Sequence, residues 1–413
     1  MKILHVGYSD SKGGAAIAMM RLHQSLVEKN IDSQILVVEK NSNDSKVIGP
    51  TKSLEIILND LKKILVRQKK FIFKSNDSFS HSLNFFGSNI VDKINKINPD
   101  IVNLHWVNNE LLSIAQIGKI KQPIVWTFVD MWPMCGGEHY TETTRYKDGY
   151  LKNNRETQSR GIDLNRIIWS KKKKEWKSKI KKIVCISDWL EKKTKESDLF
   201  RDKDISKINC NIDLNEWKPI DKNVAKKILN LPLDKKFFLF LSTNGVNYKR
   251  KGFRYVDSAL KKLSSKRSDF ELIIVGRKSI MDKKEYNFRF IDKILDGNPV
   301  ELRLLYSACE AVLMPSTIEA FGQVALEASS CGIPTVGFKD TGIEDIIEHK
   351  VNGFLSNYLD QDDFDKGVNW TLNLNEEDSK NIYKSCLAIV DKKFSNNFIA
   401  EKYIELYKSI DKK

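Results

Sequence analysis

The regular alternation of short apolar runs with helical sequence is the feature that most restricts what this chain can fold into. Val- and Ile-rich runs occur at KILHVGY, SQILVVEK, DIVNLHW, QPIVWTFV and KKIVCIS. Continuous runs of this kind are typical of strands buried on both faces of a parallel sheet. After a connector at residues 209–219 the pattern restarts with KFFLFLST, FELIIVG, AVLMPS and PTVGF. Two rounds of strand and helix predict an α/β protein of two doubly wound domains.

Length and composition fit this architecture. The chain has 413 residues, too many for one ordinary core, and 41% of them are hydrophobic. No apolar stretch approaches the ~18 residues that a membrane-spanning helix needs. The N-terminal MKILHVGYSD enters a strand pattern directly and lacks the features of a signal peptide, which predicts a cytoplasmic protein. The six cysteines form no C-x-x-C pair, a usage that favours reduced thiols over disulfides or a zinc site.

The segment from Pro315 to Gly337, PSTIEAFGQVALEASSCGIPTVG, is the richest in chemistry. It follows the strand AVLMPS with a polar turn, and a helix is predicted from the turn to about Ser330. Ligands of open α/β sheets bind at that edge of the strands. The N–H groups and dipole of a helix start suit a phosphate group, and Gly322 allows a ligand to approach the backbone closely.

Two glutamates in this segment stand eight residues apart, at Glu319 and Glu327. That spacing is a little over two helical turns, so we expect both carboxylates on one side of the helix. Carboxylates accept hydrogen bonds from paired hydroxyls, so one could bind a sugar and the other a ribose. For the two glutamates alone, a solvated amphipathic helix is the simpler interpretation. The strand edge, the glycine turn and CGIPTVG together favour a binding site.

The sequence E-A-F-G-Q-V-A-L-E, followed by A-x-x-C-G-I-P-T-V, resembles the E-x7-E motif of glycosyltransferase family 4, which has the GT-B fold. The resemblance covers nearly the whole chain. It implies two Rossmann-like doubly wound domains facing across a cleft. Residues 1–215 would form the acceptor domain, residues 216–392 the nucleotide-sugar domain, and residues 393–413 a closing helix that packs back on the first domain. It also implies retention of anomeric configuration.

The resemblance assigns roles to individual residues. Glu319 would contact the donor sugar, Glu327 the ribose, and the stretch from Gly322 to Val324 the phosphate and hydroxyls. Gly13-Gly14, after the first strand, resembles the family's interdomain glycine loop, which approaches the donor phosphates. The dinucleotide fingerprint G-x-G-x-x-G is absent, which counts against a nicotinamide enzyme. The expected donor-binding residues are therefore Gly13, Gly14, Arg277, Phe321, Gly322, Gln323, Val324 and Glu327.

The basic turn NGVNYKRKG, at residues 244–252, can neutralise a diphosphate leaving group. The resemblance gives this role to Lys251, which precedes Gly252 as in the family's R-K-G. Many relatives carry an arginine just after the preceding strand, where this chain has Ser-Thr-Asn, so Arg250 or Arg277 is expected to substitute. Lys249 is expected on a solvated turn. No metal or other cofactor is expected, and the acidic run at residues 360–363 is interpreted as a helix cap.

The segment TFVDMWPMCGGEHY, at residues 127–140, resembles a branch of the family found in bacterial polysaccharide assembly. That branch usually has His-Asp-Met-Trp, and Val129 here occupies the histidine position. Asp130 is expected to orient the acceptor hydroxyl. Glu138 and His139 are acceptor-side candidates, either as an orienter and its base or as a structural pair. Adjacent residues of an extended segment point apart. His105-Trp106, at another strand end, is a candidate to line the interdomain cleft, but simple packing is the commoner case and the pair is left out of the site.

The net charge of +15 is concentrated in one half of the chain, because residues 1–200 hold 34 Lys and Arg against 22 Asp and Glu. Such a surplus favours an anionic partner, which could be a membrane surface, a nucleic acid or a phosphorylated substrate. Solvated lysine-rich helices are the simpler interpretation. LKKILVRQKKFIFK, at residues 61–74, and the lysine run at 171–182 are candidate membrane anchors. No aromatic-interleaved motif supports binding to nucleic acid.

Taken together, these features predict a retaining transferase that moves a hexose-type sugar from a UDP- or GDP-linked donor to a saccharide. The acceptor would be carried on a lipid such as undecaprenyl diphosphate, at the inner face of a bacterial membrane. Synthesis of O-antigen, lipopolysaccharide, capsule or another surface polysaccharide is the expected context. The expected catalytic residues are Asp130, Arg250, Lys251 and Glu319. A GT-B-fold nucleotide-sugar epimerase and a non-catalytic nucleotide-sugar-binding protein are the alternatives.

Overall fold

Each of the two predicted rounds of strands forms its own parallel sheet. The structure is a computed structural model that describes residues 1–50, 55, 57, 61, 64, 73–74, 79–157, 159–176, 179–180, 182–277, 284–292 and 298–411. The chain divides into a first unit, Met1–Asn211 with Ile399–Lys413, and a second unit, Ile212–Phe398. The sequence-based boundaries were residues 215 and 392. The prediction of two parallel-sheet α/β units is confirmed.

The first unit contains a seven-stranded sheet in which every neighbouring pair is parallel. Its strands, in chain order, are β1 (Lys2–Val6), β2 (Asp32–Leu36), β3 (Val47–Ile48), β5 (Ile101–Leu104), β6 (Ile124–Phe128), β8 (Lys182–Cys185) and β9 (Asp204–Lys207). Two short strands, β4 (Phe73–Lys74) and β7 (Arg160–Gly161), form a separate antiparallel pair. The sheet order is β3-β2-β1-β5-β6-β8-β9, so the strand order reverses between β1 and β5. Ligands of doubly wound folds bind at such a switch point.

Six helices have bounds within the described residues of this part of the chain. They are α1 (Gly14–Glu28), α2 (Ile90–Ile97), α3 (Ile114–Lys119), α4 (Arg145–Asp148), α5 (Leu164–Trp176) and α6 (Asp188–Glu196). Ser113 starts α3 with a capping box that it shares with Gln116. Ser187 caps α6 by accepting a hydrogen bond from the backbone N–H of Leu190. Every residue of β5 and β6 is buried, as the uninterrupted apolar runs predict for strands covered on both faces.

The second unit repeats the same plan with six parallel strands. They are β10 (Lys236–Ser242), β11 (Phe270–Gly276), β12 (Phe288–Ile291), β13 (Ala311–Met314), β14 (Thr335–Phe338) and β15 (Gly353–Ser356). The order β12-β11-β10-β13-β14-β15 places the switch point between β10 and β13. The helices are α7 (Lys222–Ile228), α8 (Phe253–Ser264), α9 (Pro299–Ala308), α10 (Gln323–Ser330), α11 (Gln361–Leu372) and α12 (Glu376–Phe394). Asp360 caps α11 through the backbone N–H of Asp363, which confirms the helix-cap interpretation.

The last helix, α13 (Asn396–Asp411), supplies part of the core of the first unit. Its apolar residues from Ile399 to Tyr407 pack against buried residues of β1, α1, β5, β6 and β8. Two polar contacts accompany this packing. The side-chain amide of Asn103 donates to the Tyr407 hydroxyl at 2.7 Å, and the hydroxyls of Thr127 and Tyr403 lie 3.2 Å apart. One face of the N-terminal sheet is therefore covered by a helix from the far end of the described chain.

Candidate functional site

At the switch point of the second sheet, the loop after β10 is joined to the loop after β13. The backbone N–H of Thr317 donates to the carbonyl of Arg250 at 2.8 Å, and the Arg250 guanidinium donates to the carbonyl of Ile318 at 2.6 Å. Gly252 makes this approach possible. Its φ is +70°, and a Cβ at this position would lie 1.9 Å from the carbonyl oxygen of Pro315. The glycine of the sequence K-R-K-G is thus required by close contact between two backbones.

The junction holds a cluster of two cations and one carboxylate. Lys251 Nζ lies 2.7 Å from Glu319 Oε2, and a guanidinium nitrogen of Arg250 lies 3.6 Å from the same oxygen. Burial would raise the pKa of Glu319, but the charges of Lys251 and Arg250 and the hydrogen bond from Lys251 hold it below its usual range. The structure therefore brings together the three residues of the second unit that the sequence analysis marked as catalytic. Their positive charge exceeds their negative charge by one.

The start of α10 adds a helix N-terminus to this junction. Gly322, the N-cap residue, has a φ of +104°, and a Cβ there would lie 2.6 Å from Ile343 Cγ2. Of the predicted donor-binding residues, Phe321 has a buried side chain, and its ring meets Phe394 edge-on with centroids 6.0 Å apart. Gln323 and Val324 are half-buried. The backbone of this turn, rather than the Phe321 ring, is the part suited to meet a ligand.

Glu327 lies in a different environment from Glu319. Glu319 precedes α10, because the helix begins at Gln323, so the expectation that helical spacing aligns the two carboxylates is wrong. Glu327 is 5% exposed, and its Oε2 accepts a hydrogen bond of 3.0 Å from the hydroxyl of the fully buried Tyr306 on α9. One carboxylate is thus tied to cations and the other to a neutral hydroxyl.

Arg277 stands at the same edge of the sheet, directly after β11. Gly276, which precedes it, is paired with Ser242 at the end of β10. At Gly276 φ is +138°, and a Cβ would lie 1.9 Å from the carbonyl oxygen of Ser242. Arg277 is exposed. This position fits the predicted donor-side location, and whether Arg277 contacts a donor stays a prediction.

The switch point of the first sheet carries a cavity of about 320 Å³. Gly13 and Gly14, the predicted glycine loop, form part of its wall at the start of α1. His105 and Trp106, which follow β5, also line it, together with Gly7, Tyr8, Ser9, Lys12, Ala15, Ala16 and Met19. His105 and Trp106 thus line a cavity as well as pack, and whether they contact a ligand stays a prediction. The cavity lies where doubly wound sheets bind their ligands.

Below Trp106 lies a buried polar network centred on Asp130. The Asp130 carboxylate accepts hydrogen bonds from Trp106 Nε1 at 3.0 Å and from the backbone N–H of Trp132 at 3.0 Å, and it lies 2.6 Å from His139 Nδ1. The other ring nitrogen of His139 lies 2.8 Å from the Ser82 hydroxyl. Asp130 and His139 are each 6% exposed. The structure shows Asp130 holding Trp106 and His139, and its predicted contact with an acceptor stays a prediction.

The hypothesis that Glu138 orients His139 as a base is wrong. The two ring nitrogens of His139 contact Asp130 and Ser82 instead. Glu138 instead accepts a hydrogen bond from the Tyr150 hydroxyl, whose pKa is raised by burial and by the nearby Cys135 and Glu138. His139 belongs to the Asp130 network.

A second buried pair lies next to the cavity. His5 Nδ1 and His105 Nε2 are 2.9 Å apart, and both rings are almost fully buried. Burial lowers the pKa of His105 to about 3, and burial together with the neighbouring His105 lowers the pKa of His5. Both rings are therefore neutral near pH 7, and one donates its ring N–H to the other.

The lysine run at residues 171–182 is not the uniform solvated face that its composition suggests. Lys172 is fully buried, and its ammonium group donates to the carbonyls of Trp132, Cys135 and Gly136, which fixes the loop after β6. Trp176 and Ile180, the expected apolar side of a membrane anchor, are buried as well, so that part of the expectation is wrong. The other candidate anchor, residues 61–74, lies almost entirely outside the described residues.

The described part of the chain offers neither a metal site nor a membrane span. It holds no group of three or more His, Cys, Asp or Glu side chains arranged to bind a metal ion. In the same part of the chain, every helix is too short or too polar to cross a membrane. The six cysteines are buried free thiols.

Known proteins share the fold of this chain and part of its sequence. Residues 221–385, most of the second unit, match the family model for glycosyl transferases group 1. Sucrose-phosphate synthase from Thermosynechococcus elongatus superposes with a TM-score of 0.67 at 16% identity, over 99% of both chains. Anabaena HepE in complex with UDP-glucose superposes with a TM-score of 0.67 at 15% identity, over 99% of this chain and 100% of that one. The fold is GT-B.

Sequence relatives support the glycosyltransferase superfamily. Over 211 residues the chain is 31% identical to an uncharacterized glycosyltransferase of Methanocaldococcus jannaschii, an alignment that takes in 47% of this chain and 52% of that protein. The chain spans about half the length of the curated relatives it matches. The GT-B fold and the superfamily are thus supported independently, the first by structure and the second by sequence.

Three side chains of this GT-B protein were missed by the sequence analysis. Tyr306 contacts Glu327, Trp106 lines the cavity of the first unit, and Lys172 fixes the loop that carries Trp132. Tyr306 lies in an amphipathic helix and Lys172 in a lysine run, so neither has a local signal. Only Trp106 has a local sequence signal, because it follows a buried strand at the ligand-binding edge of a parallel sheet.

Proposed function

We propose that the protein is a retaining glycosyltransferase that takes a hexose-type sugar from a UDP- or GDP-linked donor bound by its second unit. The observation that carries this proposal is the cluster of Arg250, Lys251 and Glu319 at the switch point of the second sheet. It lies within the residues that match the glycosyl transferases group 1 model, next to the helix start at Gly322. The likeness to a HepE structure that holds UDP-glucose supports a nucleotide-sugar donor.

The cluster suits the departure of a nucleoside diphosphate. Negative charge develops on the leaving oxygen, and Arg250, Lys251 and the N–H groups at the start of α10 can stabilise it without reorganising. We propose that these groups supply the positive charge of the reaction and that no metal or other cofactor is required. Removal of one such preorganised donor typically lowers the rate by about 10²–10³-fold.

Glu319 suits sugar binding better than nucleophilic attack. Its carboxylate is held by two cations, which lower its basicity and its reactivity as a nucleophile. It can still accept hydrogen bonds from the hydroxyls of a hexose. We therefore propose front-side attack by the acceptor hydroxyl, with retention of configuration and with the leaving diphosphate helping to take the proton.

The proposed acceptor is a saccharide, carried on a lipid such as undecaprenyl diphosphate and used in surface polysaccharide synthesis. The surplus of basic residues in the first 200 positions supports attraction to an anionic membrane surface or a diphosphate carrier. The cavity of the first unit supports a second substrate apart from the donor. We propose that the protein works at the inner face of the membrane as a peripheral protein.

The first experiment is a thermal-shift panel with UDP, GDP and their common hexose conjugates. It compares the wild type with Glu327→Ala and with a matched control, Glu377→Ala, which changes an exposed glutamate of α12. We expect one nucleotide class to raise the melting temperature of the wild type and of the control. The same ligands should give little or no shift with Glu327→Ala, because the ribose loses its acceptor.

The outcomes separate the hypotheses. No shift with any nucleotide would refute the transferase proposal. A shift without nucleoside diphosphate release in the presence of saccharide acceptors would favour the non-catalytic binding protein. Where product forms, the anomeric coupling constant of the new linkage in a proton NMR spectrum tests retention.

A further inference from the structure

Trp106 is held in place by more contacts than simple packing provides. Its indole N–H donates to Asp130 at 3.0 Å, and the ring of His139 stacks on it with centroids 5.4 Å apart and an interplanar angle of 27°. Tyr8 meets it edge-on, with centroids 5.8 Å apart and planes at 89°. A ring that is already fixed loses little conformational entropy when a ligand lands on it. Trp106 is thus preorganised as a binding surface.

The polar groups that hold Trp106 do not line the cavity. Asp130 and His139 are each 6% exposed, and the hydroxyl of Ser82 lies 2.8 Å from the second ring nitrogen of His139. Trp106, by contrast, is half-buried and lines the cavity. A ligand entering the cavity therefore meets the indole ring, while the carboxylate and the imidazole act from behind it.

The charged side chains around the cavity give no positive surplus. Lys12, which lines it, forms an ion pair with Glu39. His105, on the same wall, is neutral near pH 7, because burial lowers its pKa to about 3. The carboxylate of Asp10 accepts hydrogen bonds from the backbone N–H groups of Asn41 and Ser42. Side chains without a positive surplus favour a neutral ligand over a phosphate or a carboxylate.

We propose that Trp106 is the stacking platform for a pyranose ring of the acceptor saccharide. A pyranose has an apolar face of C–H groups and a rim of hydroxyls. The indole takes the apolar face, and the backbone at Gly14 and Ala15 in the first turn of α1 offers polar groups to the hydroxyls. The cavity of about 320 Å³ lies within the usual size range of small-ligand sites, about 300–1,000 Å³. This inference deepens the proposed function and rests on it for the role of the sugar as acceptor.

The test uses ligand-observed NMR on the full chain, with saturation of the aromatic protons. The probes are the methyl glycosides of glucose, galactose, mannose and N-acetylglucosamine, with UDP and GDP measured separately by thermal shift. The variants are Trp106→Leu, which removes the aromatic face, and Trp106→Phe, which keeps one. Ala15→Phe fills the cavity from the opposite wall and leaves Trp106 intact. Trp189→Leu, at a half-buried tryptophan of α6 outside the cavity lining, is the matched control.

We expect at least one hexoside to receive saturation from the wild type and from Trp189→Leu. Its affinity should fall about tenfold or more in Trp106→Leu and Ala15→Phe and much less in Trp106→Phe. Nucleotide shifts should be the same in the wild type, Trp189→Leu and the two Trp106 variants. Failure of every hexoside to bind the wild type would overturn the inference, as would unchanged binding by Ala15→Phe. Loss of the nucleotide shift in Trp106→Leu would assign the platform to a nucleobase instead, since bases also stack on tryptophan. Absence of any nucleotide shift in the wild type would refute the proposed function, whatever the hexosides show.

Discussion

Replacing Tyr306 by Phe tests whether the ribose-side carboxylate must be held in place. The change removes one hydroxyl from a fully buried side chain and leaves the ring in its packing against Trp217, whose centroid is 6.2 Å away. The lost hydrogen bond, 3.0 Å from Tyr306 to Glu327 Oε2, is one to a charged group. Such bonds contribute about 1.5–3 kcal/mol. We take the lower figure, because Phe keeps the aromatic ring in its packing.

A cost of about 1.4 kcal/mol corresponds to about tenfold in Kd. We therefore expect the nucleotide that stabilises the wild type to bind Tyr306→Phe about tenfold more weakly, as measured by isothermal titration calorimetry. The free energy of unfolding, measured by urea titration, should fall by about 1–2 kcal/mol. The matched control is Tyr383→Phe on α12, where the tyrosine is 40% exposed. It should leave both quantities unchanged.

The two readouts distinguish the outcomes. A lower free energy of unfolding with an unchanged Kd would refute the argument, because Tyr306 would then stabilise the fold without orienting Glu327. An unchanged value for both would mean that the hydrogen bond is absent in solution. A loss of nucleotide affinity equal to that of Glu327→Ala would show that the Glu327 carboxylate binds the ribose only when the Tyr306 hydroxyl orients it.

Three further predictions concern other residues of the two units. Gly322→Ala forces a side chain into a backbone with φ of +104° and should lower the free energy of unfolding by about 1–3 kcal/mol; an unchanged melting temperature would contradict this. Acidification from pH 7 to pH 5 should destabilise the first unit. The folded pKa of His105, about 3, lies below its unfolded value, so the unfolded state binds the extra proton, at a cost of about 2 kcal/mol at pH 5. Urea titrations at both pH values should show a smaller loss in His105→Gln, and an equal loss would count against the assignment. Lys251→Met should lower turnover by about 10²-fold, measured as nucleoside diphosphate release, whereas the exposed Lys249→Met should stay near the wild type. Equal effects at the two lysines would refute the role of Lys251.

The strands could be predicted because their signal is local. Apolar runs such as KFFLFLST and FELIIVG form β10 and β11. The glycine of K-R-K-G occupies a position that only glycine can fill. The three cluster residues of the second unit were also found from local motifs. Each sits in a turn that directly follows a strand, where parallel sheets bring polar loops together.

The partners of the site residues could not be predicted from local patterns. Tyr306 and Glu327 lie on different helices, and the three carbonyls that hold Lys172 come from a loop 36 to 40 residues earlier in the chain. Such contacts depend on how elements pack, which leaves no periodic trace in the sequence. The expectation that helical spacing aligns Glu319 with Glu327 failed for a related reason. The helix begins only at Gln323, and Glu319 lies in the turn before it.

The contribution of α13 to the first unit has a consequence for how the protein is made. A ribosome releases β1 to β9 first, but the residues from Ile399 that cover their apolar face are added only after the whole second unit. At about 5–20 residues per second, that delay lasts on the order of 10–40 s. During this time the nascent N-terminal sheet exposes the surface that Tyr403 and Tyr407 later cover. We therefore expect chaperones to bind the first half of the polypeptide during translation. Folding of the first unit is finished only when α13 has been synthesised.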